Sequence, residues 1–101
     1  MDKITVENIN HPGKSERVNA EKYNAMRSAL LAVLAENSEP LESKTIGHAV
    51  RPLLPDDLFP GGATSGWWIK TVQLDLEAKG ILARTATKPL RFFLTRRDSD
   101  A

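Results

Sequence analysis

The residues of this 101-residue chain that have chemistry to offer fall into two groups, and neither is a catalytic constellation. Lys70 and Gln73 stand three apart in GWWIKTVQLDLEAKGILAR, residues 66–84. On a helix facing nucleic acid, a lysine contacts guanine or phosphate and a glutamine pairs with an adenine edge. Thr64 and Ser65 lie just upstream, where the start of a helix can hold a phosphate. The second group is cationic: Arg84, Lys88, Arg91 and Arg96. Such a cluster can straddle a phosphate backbone or enter a minor groove, adding affinity with little sequence choice. The same charges would also suit an edge hairpin that has to stay soluble.

Enzyme chemistry finds no footing. HPGKS, residues 11–15, contains Gly-Lys-Ser, but a phosphate loop needs a glycine five positions before its Gly-Lys pair, and residue 8 is Asn. His11 and His48 are the only histidines, there is no cysteine, and neither histidine has metal-ligand spacing. No nucleophile, base and orienting acid can be assembled from local spacing. No catalytic residue, metal or cofactor is assigned.

Composition is that of an ordinary globular domain, 41% hydrophobic and 27% charged, and this length builds one modest core. No apolar run approaches the roughly 20 residues needed to span a bilayer, so no membrane association is expected. The N-terminus lacks a secretory layout. Without cysteine there is no disulfide framework, and a reducing cytoplasm is the expected compartment. The net charge of +1 conceals an uneven distribution. Residues 36–57 carry two basic and five acidic side chains, whereas residues 84–101 carry five basic and two acidic. A local basic stretch can meet phosphate without a high overall pI.

The elements that must position these side chains follow from periodicity. Residues 1–17 read as an arm with one short strand at Ile4-Thr5-Val6 and a turn at Asn10-His11-Pro12-Gly13. From Asn19, an expected N-cap stapled by Val18 and Tyr23, the residues Tyr23, Met26, Leu30, Val33 and Leu34 share one helical face. A second helix begins at about Ser43, burying Ile46, Ala49, Val50 and Leu53, and must kink or stop at Pro52. Residues 54–62 are loop, with room for one helical turn after Pro55. A third helix, capped by Thr64 or Ser65, runs to Lys79 and stops at Gly80 in a left-handed conformation. Residues 81–85 and 90–95 form a hairpin. Alternation along the second strand buries one of Phe92 and Phe93 and leaves the other beside Arg91.

Three helices followed by a hairpin is the order of a winged helix-turn-helix domain, an α+β, mainly α fold with a C-terminal two-stranded β-hairpin wing. LDLEAKGILAR followed by KPLRFFLTR resembles the end of the recognition helix and the wing in winged-helix transcriptional regulators, over about residues 19–97. The chain is also similar to a group of small uncharacterised bacterial proteins that carry HPGK near the start and LFPGG before a tryptophan pair. The resemblance implies a winged-helix domain at 18–97, between the arm at 1–17 and a tail at 98–101. It also implies binding of double-stranded DNA, with the third helix in the major groove and the basic wing on the backbone. A single module makes few contacts, so specificity would require a homodimer on two half-sites. Asp75 and Glu77 count against DNA contact, because carboxylates repel phosphate.

The third helix carries more apolar residues than one packed face needs. Trp68, Ile69, Val72 and Leu76 form the core stripe, while Trp67, Thr71, Leu74 and Ala78 make a second stripe about 145 degrees away. Bare apolar patches are uncommon on soluble monomers. The arm, the Leu58-Phe59 loop or a second protein chain must cover Trp67 and Leu74. If a partner does so, the module is one for protein interaction that does not bind DNA.

Overall fold

The computed structural model describes residues 2–95. The chain is α+β, with three helices and two small antiparallel sheets. Its order is β1 (Lys3–Glu7), β2 (Ser15–Asn19), α1 (Ala20–Ala35), β3 (Leu41–Glu42), α2 (Ser43–Val50), α3 (Ser65–Ala78), β4 (Leu82–Arg84) and β5 (Arg91–Leu94). No described helix is long and apolar enough to cross a membrane.

The helix boundaries have local causes. The Asn19 side chain accepts a hydrogen bond from the Lys22 amide at 2.9 Å, satisfying one of the orphan donors of α1. Val18 and Tyr23 are buried on either side of this cap. Tyr23, Met26, Leu30, Val33 and Leu34 are then buried along α1, as their spacing predicts. Helix α2 gives way after Val50 to a single 3-10 turn, Arg51–Leu53, because Pro52 has no amide hydrogen to continue the ladder. At the end of α3, Gly80 has φ 75°. The Ile81 amide donates to the Leu76 carbonyl at 2.9 Å and the Gly80 amide to the Glu77 carbonyl at 3.1 Å, a Schellman stop.

The start of α3 departs from expectation. Thr64 occupies the cap position with left-handed φ 60° and ψ 8°, and its side chain makes no capping bond. Its hydroxyl donates to the Ala63 carbonyl at 2.6 Å. Ser65 does not cap either, since it is buried and accepts from the Arg51 Nε at 3.3 Å. The loop before it is anchored by Phe59, which is buried edge-on against Trp68 with ring centroids 6.4 Å apart.

Both sheets hold more strand than was expected. In the C-terminal sheet β4 pairs with β5, and β3 adds along the free edge of β5, giving the order β3-β5-β4 in place of two strands. Leu41 faces Phe92 and Glu42 faces Arg91 across that edge. A two-residue strand is too short to leave an alternation pattern in sequence. Phe92 is buried and Phe93 is exposed, as alternation requires. The N-terminal segment is a hairpin, with Lys3 opposite Asn19 and Glu7 opposite Ser15, and β2 runs directly into α1.

That hairpin lies on α3 and α1, with Val6 and Val18 buried in the common core. Its polar anchor is Asp75, whose side chain is fully buried. Asp75 accepts from the Glu7 amide at 2.8 Å, from the Tyr23 hydroxyl and from the Lys79 ammonium. Burial and the neighbouring carboxylate push the Tyr23 phenol far above its ordinary pKa. One side chain thus ties together α1, α3 and β1.

Candidate nucleic-acid interface

The core stripe of α3, Trp68, Ile69, Val72 and Leu76, is buried as its spacing predicts. The second stripe divides. Leu74 is only 8% exposed, and Thr71 is half-buried. Both line a small hollow with Val6, His11 and Lys14 of the N-terminal hairpin. Leu74 is therefore covered from within and offers no interface, because a folded-back hairpin supplies the apolar cover. Trp67 is different: it is 52% exposed and rests edge-on against Trp68, with centroids 5.0 Å apart.

What α3 leaves in solvent is its N-terminal half. Gly66, Trp67 and Lys70 are exposed and Gln73 is half-buried. Beside it opens a groove of about 690 Å³, bounded by α2, α3 and the turns of both hairpins. Its floor includes Ile69, Leu74 and Phe92. Lys70 and Gln73 line it from α3, and Lys44, His48 and Arg51 from α2 and the turn that follows. Asn10 lines it from the N-terminal hairpin, and Pro89 and Leu90 from the other hairpin. Lys44, Arg51, Lys70 and Arg84 line the groove against a single carboxylate, Glu42. Glu42 itself faces Arg91 at 3.3 Å.

The side chains expected to touch phosphate meet different fates. Lys70 and Gln73 share the groove, although the Gln73 amide also donates to Glu77 at 3.3 Å. Thr64 is exposed at the start of α3, while Ser65 is sealed beneath it and cannot reach a ligand. Arg84 lines the groove, yet its guanidinium is committed to the protein. It donates to both oxygens of buried Glu77, at 2.6 and 2.7 Å, and lies 5.8 Å over the Phe92 ring. The hydrogen-bonded Glu77 carboxylate raises the Arg84 pKa above its ordinary value. Arg84 is thus a strut between α3 and β4, since an unpaired buried Glu77 would be costly. Lys88 is exposed on the β4–β5 turn, and Arg91 is drawn toward Glu42 by β3. Arg96 lies outside the described residues.

Asp75 and Glu77, which counted against contact with phosphate, both face inward and are neutralised by Lys79 and Arg84. Three contributors went unrecognised: Lys44, His48 and Arg51. Their spacing of four and three residues places them on one side of α2 and its following turn, a helix-period signal present in the sequence. Among the described residues, no cluster of three or more His, Asp and Glu is placed to hold a metal ion.

Residues 3–92 match the model of a family of unknown function, DUF6958. No curated protein and no solved structure matches the chain.

Proposed function

We propose that this chain, which belongs to the DUF6958 family, is a cytoplasmic winged helix-turn-helix module that binds double-stranded DNA and catalyses nothing. The observation that carries the reading is the collection of Lys44, Arg51 and Lys70 around the exposed half of α3, opposed by one carboxylate that is already paired. A surface of one sign beside a protruding helix attracts a phosphate backbone and steers its approach. The order β3-α2-α3-β4-β5 and the strand order β3-β5-β4 favour the winged-helix assignment. In this reading the N-terminal half of α3 enters the major groove, with Lys70 and Gln73 toward base edges. Thr64, Lys44, Arg51 and Lys88 contact the backbone, the last from the wing.

The cations are few, so affinity is modest and falls with salt. About four phosphate contacts give a slope of roughly −3 to −4 in log affinity against log salt. Titration of a fluorescent 20-base-pair duplex across a salt series tests this. Lys70→Glu combined with Lys88→Glu should abolish retention, and a wild-type protein that ignores duplex DNA at low salt refutes the reading.

A second reading, a module that docks on protein, is favoured by one feature, the half-exposed Trp67. It requires Trp67→Ala to change association in sedimentation or partner-binding assays while leaving the circular dichroism unchanged. A Trp67→Ala protein that associates like the wild type removes it.

A further inference from the structure

We propose that the turn of the N-terminal hairpin is a second phosphate-contacting element, set on the same groove along α3 as the β4–β5 turn, so that a bound duplex meets both turns. The proposal rests on the DNA-binding reading and adds to it a surface that the C-terminal basic cluster does not include.

An isolated two-stranded hairpin is marginal in water. This one is held at its root and along its length. The Ala20 amide donates to the Asp2 carbonyl at 3.1 Å, Val6 and Val18 enter the core, and the Glu7 amide reaches buried Asp75. The turn, residues 8–14, is braced internally. The His11 amide donates to the Asn8 carbonyl at 2.9 Å, the Lys14 amide to the His11 carbonyl at 3.1 Å, and the Asn10 amide to the Asn8 side chain at 2.8 Å. Gly13, at φ 89°, supplies the left-handed residue this bend needs. The turn is thus a fixed projection.

Its location and composition suit phosphate. Asn10 lines the same groove as Lys44 and Lys70, and Pro89 and Leu90 of the other turn line it as well. His11 and Lys14 are exposed, and residues 8–14 contain no carboxylate. The carboxylates nearest in sequence, Glu7 and Glu16, sit in the strands and line the same hollow as His11 and Lys14, and Glu7 faces Lys79 at 4.0 Å. An ammonium, an imidazole and an amide on a rigid turn make backbone contacts that are indifferent to sequence. Lys88 offers a further exposed ammonium on the β4–β5 turn.

The test is the salt dependence of binding to a random-sequence 20-base-pair duplex by wild type, Lys14→Ala, Lys3→Ala and Lys70→Glu, each verified as folded by circular dichroism. Lys3 is the control, an exposed lysine at the root of the same hairpin, opposite Asn19. Loss of one phosphate contact makes the log–log slope shallower by about one and weakens binding about eightfold at 0.1 M salt relative to a 1 M reference. The expected result is that change for Lys14→Ala and none for Lys3→Ala. If Lys14→Ala binds like wild type while Lys70→Glu fails, this inference falls and the α3 reading survives. Equal losses for Lys14→Ala and Lys3→Ala reduce the effect to net charge and also overturn it. A wild type that does not bind duplex overturns both readings.

Discussion

Removing the carboxylate of Asp75 should be strongly damaging, and the size of the loss follows from what it leaves behind. Asp75 is fully buried and accepts three hydrogen bonds, from the Glu7 amide, the Tyr23 hydroxyl and the Lys79 ammonium. In Asp75→Ala, Lys79 returns to water because its side chain is already 38% exposed. The Glu7 amide and the Tyr23 hydroxyl lose their acceptor in the interior, at about 1 to 3 kcal/mol each. Together these come to about 2 to 6 kcal/mol, and the desolvated carboxylate no longer has to be accommodated, so the expected net loss is about 2 to 4 kcal/mol. That is a large part of the roughly 5 to 15 kcal/mol available to a domain of this size. Tyr23→Phe should cost less, about 1.5 to 3 kcal/mol, since Asp75 keeps two donors. The informative variant is the double one. Once Asp75 is gone, deleting the stranded hydroxyl relieves a penalty, so the pair should fall short of additivity by about 0.5 to 3 kcal/mol. Urea denaturation of the four proteins measures the cycle, and amide hydrogen exchange in residues 3–7 and 15–19 shows whether the hairpin detaches first. An Asp75→Ala protein within about 1 kcal/mol of wild type, or an additive cycle, refutes the claim that this carboxylate anchors the hairpin.

Three further outcomes follow from the same contacts. Tyr23 is the only tyrosine, and its folded-state pKa lies above the unfolded value of about 10. Its contribution to stability is therefore whole below about pH 10 and is lost as pH rises above that, at up to about 1.4 kcal/mol per pH unit, because the unfolded chain ionises first. Tyrosinate absorbance and alkaline denaturation, with Tyr23→Phe as reference, check the slope. Arg84→Ala should cost about 3 to 5 kcal/mol by stranding Glu77, whereas Arg84→Met with Glu77→Leu should lose far less, as read by denaturant midpoints. Thr64→Gly should stabilise the protein by about 1 kcal/mol, raising Tm by about 4 to 8 °C in a thermal melt. Glycine accepts φ 60° without the clash a β-branched residue meets, and the only bond lost is the exposed one from the Thr64 hydroxyl to the Ala63 carbonyl.

The elements that the chain reveals without coordinates are those whose information is local. The apolar repeat of α1, the stop at Pro52, the left-handed Gly80 and the burial of one of Phe92 and Phe93 each depend on neighbours within a turn or a strand. Sequence periodicity also isolates the second stripe of α3 and states the need for a cover. It does not say which cover is used, because the answer lies in contacts between distant residues. The Glu7 amide meets Asp75 across 68 positions, and Glu42 meets Arg91 across 49. Those pairings bury Leu74, turn Asp75 and Glu77 inward, withdraw Arg84 from solvent and leave Trp67 half-exposed. They also bring Lys44, His48 and Arg51 of one segment beside Lys70 of another. Local periodicity can say that a face exists. Only the packed chain decides what the face meets, because the charge and apolar area of a surface depend on which partners have already claimed them.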